Sequence, residues 1–295
     1  MTNESRIKLP DGRQIAFAEF GAREGPPVMY FHGAPSSRLE PLLVGDEALK
    51  GSGLRIIAPD RPGIGGSDPK PGRRIADWPS DVAALADVLG LDRFGVIGNS
   101  GGAPYAIACA AMLPERIATV VVVSGGWRMD WPEARRHLPF MNRIVMTLAR
   151  RAPFLLGLLF KAMGGVATGE RDKELAQMKG RMPPADFEAF SVPGRLEAFG
   201  ASMRETMRQG TKWAVWEMGL YVRDFGFDPS AVRAPVHWLH GQADTNAPIQ
   251  LARRAAASIP GARLIQFPGE AHLSTLCNRF DEAASLLRDG MNARP

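Results

Sequence analysis

Apolar positions recur with two spacings along this chain of 295 residues. Short runs rich in Val, Ile and Phe alternate with longer stretches in which apolar residues return every three or four positions. The short runs predict strands at Gln14 to Phe20, Val28 to Phe31, Leu54 to Ala58, Phe94 to Ile97, Ile117 to Val123, Val236 to Leu239 and Arg263 to Phe267. The longer stretches predict helices. One has Asp77 or Ser80 as its cap, Val82, Leu85, Ala86 and Leu89 as its apolar face, and Gly90 as its stop. Others run over Ala103 to Leu113, Ile249 to Ala257 and Phe280 to Leu287. Ile117 to Val123 is largely β-branched, as suits a strand buried on both faces. Strand alternating with helix predicts an α/β fold with a mostly parallel central sheet and helices on both faces.

The rhythm breaks between Gly126 and Arg233. That stretch has helical spacing, few strand signals and many Met and aromatic residues. It is too long to be an unstructured loop in a compact domain. The expected organisation is therefore a core made of residues 1–126 and 233–295, with 127–232 inserted as a helical cap, or lid, over one end of the sheet. Within it, "PFLLGLLF" is expected to form either a roof helix or the interior of the cap, and is too short to cross a bilayer.

Composition narrows the function class. Hydrophobic residues make up 45% and charged residues 23%, as in ordinary globular proteins. The net charge is +5, and the 16 basic and 12 acidic residues from Trp127 to Val232 carry most of it. The basic residues come in pairs such as Arg135-Arg136 and Arg150-Arg151 rather than in a block. That predicts a solvated helix face and argues against a nucleic-acid partner. The opening "MTNESRIKLPDGRQIAF" lacks the apolar stretch of a secretory signal. Cys109 and Cys277 are too few for a disulfide framework and lack metal spacing. The expectation is a cytoplasmic protein with a small-molecule substrate, no metal, no cofactor and no membrane partner. A homo-oligomer is left open.

Candidate chemistry centres on "GNSGG", where a predicted strand meets a predicted helix. A serine on such a turn takes an unfavourable backbone conformation, and side chains two residues to either side would collide with it. Glycine is therefore expected at Gly98 and Gly102. The helix N-terminus offers backbone N–H groups to developing negative charge. The alternative is a plain strand-to-helix turn. A serine hydroxyl needs a base, and the base needs a partner that fixes its tautomer.

Five histidines compete for that role. His32 and His240 each precede a glycine at a strand end and read as structural. His237 lies within a strand, and His137 sits in the inserted region beside Arg136. His272, in "FPGEAHLS", follows the last strand, in a loop able to reach the end of the strand that carries Ser100. For the orienting acid, Asp244 follows Val236 to Leu239 in a similar loop. Asp130 is its rival, and Asp60 reads as a turn residue binding backbone N–H groups. An oxyanion needs donors. Gly101 N–H is one. The other is expected from "YFHGAPSSR", where Pro35 has no N–H and Ala34 does.

These motifs together resemble the α/β-hydrolase fold superfamily, in its serine-nucleophile branch with a helical cap. "HGAP" is similar to its oxyanion loop, "DRPGIGGSD" to its Asp-x-Pro-Gly turn and "GNSGG" to its nucleophile elbow. "HGQAD" is similar to its acid loop and "GEAH" to its histidine loop. The resemblance covers 1–126 and 233–295. It implies Ser100 as nucleophile, Asp244 as acid, His272 as base, and Ala34 with Gly101 as oxyanion donors. Many relatives carry Met or Gln where this chain has Gly101, which implies extra room beside the nucleophile. Serine at 100 argues against the dehalogenase and epoxide-hydrolase branches, which use aspartate there.

For the pocket, Trp127 and Trp131 near the start of the insertion, Trp213 and Trp216 near its end, and Arg38 past the oxyanion loop are the candidates. The apolar character of the cap suggests an apolar acyl or aromatic group in the substrate, and Arg38 is expected either to meet a substrate carboxylate or to be solvated or salt-bridged. The first expectation is a serine hydrolase that cleaves a small, largely apolar carboxylic ester through an acyl-enzyme. The alternatives are a carbon–carbon bond hydrolase or lyase using the same constellation, a slow-turnover ligand-binding protein, and a peptidase.

Overall fold

The computed structural model describes residues 4–163 and 171–293. Eight strands form one sheet: β1 Ser5–Lys8, β2 Gln14–Gly21, β3 Pro27–Phe31, β4 Arg55–Pro59, β5 Phe94–Asn99, β6 Ile117–Val123, β7 Val236–Gly241 and β8 Arg263–Phe267. Their spatial order is β1-β2-β4-β3-β5-β6-β7-β8. β1 and β2 pair antiparallel at one edge, and β4 onward is parallel.

Side chains along the central strands alternate between two cores. Met29 and Phe31 of β3, Val96 of β5, and Val120 and Val122 of β6 face the helices Trp78–Val88, Ala103–Met112 and Ile249–Ala257. Val28 and Tyr30, Ile97, and Val121 and Val123 face the other way, toward Leu49 and the helix Phe280–Asn292. All seven residues of β6 are buried, because both of its faces are covered. The sheet is thus a sandwich filling between two helical layers. The expected α/β architecture is the observed one, with β1 added at the edge.

Between β6 and β7 the described chain is helical: Pro132–His137, Phe140–Arg151, Pro153–Met163, Arg171–Met178, Pro184–Ser191, Arg195–Thr206 and Lys212–Leu220. Residues 164–170 of the expected cap lie outside the described residues. The stretch "PFLLGLLF" is interior only in part. Leu156 and Phe160 are buried, but Phe154, Leu155 and Leu158 are exposed. Its all-round apolarity hides which side faces inward. The helix packs one stripe against Phe140–Arg151 and Lys212–Leu220 and leaves the rest outside.

Candidate active site

The loops that follow β3, β5, β7 and β8 all leave the sheet at the C-terminal ends of parallel strands, and they converge there. Ser100 follows β5 and opens the turn Ser100–Gly102 ahead of the helix Ala103–Met112. Its φ of 49° lies in the left-handed region that a side chain rarely adopts. The turn is possible because its neighbours lack side chains. A Cβ on Gly98 would lie 2.8 Å from Ala106 Cβ and from the Gly102 carbonyl oxygen, and one on Gly102 would overlap the Phe31 carbonyl.

His272 opens the helix His272–Asn278 beyond β8. Its Nε2 lies 2.9 Å from Ser100 Oγ, and its Nδ1 lies 2.8 Å from Asp244 Oδ2. Asp244 follows β7 and is buried. Its Oδ1 accepts the backbone N–H groups of Asn246 and Ala247, each at 2.8 Å, which turns Oδ2 toward the imidazole. A carboxylate only accepts, so Nδ1 carries the proton and Nε2 is left to accept from the serine hydroxyl. Burial opposes a positive imidazole. Asp244 beside it outweighs that opposition, with Asp186 and Glu40 adding, and the His272 pKa is raised above its ordinary 6.5.

The other histidines do not reach Ser100, although His240 Nε2 lies 3.4 Å from Asp244 Oδ2. Trp238 donates its indole N–H to His240 Nδ1 at 3.2 Å, and His240 Nε2 lies 2.7 Å from the Ala247 carbonyl. His32, the first residue of "HGAP", is buried, and burial beside Arg61 pushes its pKa well down, so it is neutral. His237 lies within β7, and His137 is exposed at a helix end. Asp130 is bound by Arg128 through two hydrogen bonds of 2.8 Å. Asp60 accepts the backbone N–H groups of Arg38 and Gly66.

Ala34 and Gly101 meet from adjacent strand ends. A Cβ on Gly101 would stand 3.0 Å from Ala34 N. Gly33 N–H is taken by the buried Glu40 carboxylate, at 2.9 and 3.1 Å, whereas Ala34 N–H makes no hydrogen bond among the described residues. The carbonyls of both peptide units are engaged. The Gly33 carbonyl accepts from Arg61 Nη2 at 2.6 Å, and the Ser100 carbonyl accepts from Gly126 N–H at 2.8 Å. A donor on the carbonyl side of an amide polarises the N–H of the same unit, here those of Ala34 and Gly101.

Arg61 belongs to a buried polar cluster that sequence reasoning missed. Its Nη1 donates to the His32 carbonyl at 2.6 Å, and its Nε pairs with Glu217 of the helix Lys212–Leu220. Burial opposes its charge, but the Glu217 carboxylate holds it firmly protonated. Arg73 Nη1 donates to the Tyr105 hydroxyl at 2.9 Å, and Arg73 Nη2 lies 3.6 Å from Glu217. Tyr221, just past the helix, donates its hydroxyl to the Gly101 carbonyl at 2.7 Å.

Asp186 was also missed. It sits on the inserted helix Pro184–Ser191 and accepts the backbone N–H groups of His272 at 3.2 Å and Ser274 at 2.9 Å. It clamps the histidine loop from above, and Ser124 Oγ holds the His272 carbonyl at 2.8 Å. No motif marks Asp186. Its only signal is an acid in the first turn of a helix.

Two expectations need correction. The space implied beside Gly101 is filled. A Cβ there would lie 2.5 Å from the Tyr221 hydroxyl and 2.8 Å from Ala34 Cβ, so glycine makes way for the inserted region rather than for a substrate. Arg38 is not free to meet a carboxylate, because Asp60, Glu205 and Glu4 already bind it at 2.5–2.6 Å. The four candidate pocket tryptophans are each engaged by neighbouring groups. Trp127 packs edge-on against Phe225 and Trp238, and Trp131 stacks under the Arg254 guanidinium. Trp213 covers Gly63, and Trp216 donates to the Arg73 carbonyl. Met129 lies close to Gly126, whose N–H binds the Ser100 carbonyl.

A family model described as alpha/beta hydrolase fold matches residues 26–276. A non-heme chloroperoxidase from Streptomyces lividans is 38% identical over 123 residues, which span 40% of this chain and 43% of that protein. A 2-hydroxymuconate semialdehyde hydrolase from Pseudomonas putida is 26% identical over 277 residues, covering 87% of this chain and 85% of that one. Among solved structures, an alpha/beta hydrolase fold protein from Nakamurella multipartita superposes with a TM-score of 0.66 at 25% identity, covering 98% of this chain and all of the other.

Proposed function

The chain belongs to the α/β-hydrolase fold family, and from that premise we propose that it is a serine hydrolase of small, largely apolar carboxylic esters. Ser100 is the nucleophile, His272 the base, Asp244 the orienting acid, and Ala34 and Gly101 the oxyanion donors. The reading rests on one observation above the others. A continuous relay runs from Ser100 Oγ through both nitrogens of His272 to a buried carboxylate.

Ser100 Oγ attacks the ester carbonyl carbon while His272 Nε2 takes its proton. The oxyanion is received by the Ala34 and Gly101 N–H groups, each contributing on the order of 3 kcal/mol to the transition state. The tetrahedral adduct collapses, the C–O bond to the alcohol breaks, and His272 returns the proton to that oxygen. Water then repeats the sequence on the acyl-enzyme, with His272 as base. Residues 127–232 act as the cap, and Tyr221 ties it to the Gly101 carbonyl beside the nucleophile. A cytoplasmic location fits this reading, and no helix among the described residues is long and apolar enough to cross a membrane.

A second reading, hydrolysis of a carbon–carbon bond, is favoured by the long match to the semialdehyde hydrolase. The test separates them. A fluorophosphonate probe should label the wild type and not Ser100→Ala, and p-nitrophenyl esters of increasing chain length should be turned over by the wild type alone. Labelling without turnover of any ester would favour the second reading. Wild-type ester turnover by Ser100→Ala would overturn both.

A further inference from the structure

Large apolar side chains lie bare on one part of the inserted region. Phe140 is 68% exposed and Phe154 74%, and Met141, Leu155 and Leu158 are half exposed or more. All five sit on the packed helices Phe140–Arg151 and Pro153–Met163. The charge there is one-sided: from Ala134 to Met163 the chain has six Lys or Arg residues and no Asp or Glu. Arg143, Arg151 and Lys161 are exposed, and none forms an ion pair among the described residues. The Arg143 guanidinium stands over the Phe140 ring, 6.0 Å from its centroid. A shallow recess beside it is floored by Ile144, Thr147 and Leu148.

We propose that this helical hairpin is a docking face for an anionic lipid surface, with Phe140, Phe154, Leu155 and Leu158 entering the headgroup–acyl boundary and Arg143, Arg151 and Lys161 meeting lipid phosphates. Apolar side chains bordered by cations, on helices lying along a surface, are what such an interface selects. A second copy of the chain fits less well. A two-fold contact would press this acid-free basic hairpin against itself, cation on cation. The proposal departs from the expectation of no membrane partner. It concerns lying on a surface, not spanning it, and it does not depend on the reaction proposed above.

The full chain should co-sediment with vesicles of phosphatidylcholine containing about a third phosphatidylglycerol, and only weakly with phosphatidylcholine alone. Salt at about 0.5 M should release it. Arg143→Gln and Arg151→Gln should each weaken partitioning roughly five-fold. The pair Phe154→Ser and Leu158→Ser should abolish binding while circular dichroism stays unchanged. Equal binding to both vesicle types, or binding to neither, overturns the proposal. So does a dimer in light scattering that is lost in the Phe154→Ser, Leu158→Ser variant, which would make this face a contact between copies.

Discussion

At the scale of single residues, the site depends on where one proton sits. A base must be neutral to act, so activity falls as pH drops through the pKa of His272. That pKa is raised because Asp244 outweighs burial. The acid limb of kcat/KM against pH should therefore have its midpoint above 6.5. Asp244→Asn leaves burial unopposed by its neighbour, so the limb should move to lower pH, with kcat down on the order of 10^3–10^4-fold. A limb that stays in place would remove His272 as the group observed. Gly101 gives a second residue-scale expectation. Any side chain there meets the Tyr221 hydroxyl and the Ala34 methyl group, so Gly101→Met should displace both and lower kcat/KM by at least about ten-fold. Unchanged steady-state kinetics on the best ester would contradict it.

At the scale of elements, the histidine loop is held by an inserted helix. Asp186 accepts two of that loop's backbone N–H groups, so Asp186→Ala should loosen His272. We expect kcat to fall about 10–100-fold, with KM changing less. Asp186→Asn, which keeps an acceptor oxygen, should recover part of the loss. Equal losses in both variants would point to the charge instead of the hydrogen bonds. The same comparison marks what the sequence could disclose. β6 is read with its observed bounds because a seven-residue, largely β-branched run between turn signals has one interpretation. β1 escapes because "SRIK" is short, polar at three of its four positions and only half covered at a sheet edge. Ser100, Asp244 and His272 are legible because each follows a recognisable strand. Asp186 and Glu217 are not, since a helix shows its spacing in sequence but not the partner its polar face will meet. Arg61 lay inside a motif already read as a turn, which hid its second task.

At the scale of the whole molecule, the question is whether the inserted helices and the sheet fold as one body. Their contact is not a film of apolar side chains alone. It contains the buried Arg61–Glu217 pair, the Arg38–Glu205 pair and the Asp186 clamp. Each joins residues far apart in sequence, and separating the two parts would break all three. Removing one partner of a buried pair typically costs about 3–5 kcal/mol, whereas replacing both with apolar groups can cost little. Loss of the insertion should therefore unfold the core, and denaturant should produce a single transition. Tryptophan fluorescence is a suitable probe because Trp213 and Trp216 lie in the insertion and Trp78 and Trp238 in the core; it should coincide with far-ultraviolet circular dichroism. Glu217→Ala should shift that transition down by several kcal/mol, since it strands Arg61 without its carboxylate. Arg61→Met combined with Glu217→Leu should recover much of the stability but not the activity, because the Gly33 carbonyl would lose its cation. Two separated transitions in the wild type would mean that the insertion is a loosely attached lid. A double variant with full activity would mean that the buried cation holds the fold and leaves the oxyanion loop to itself.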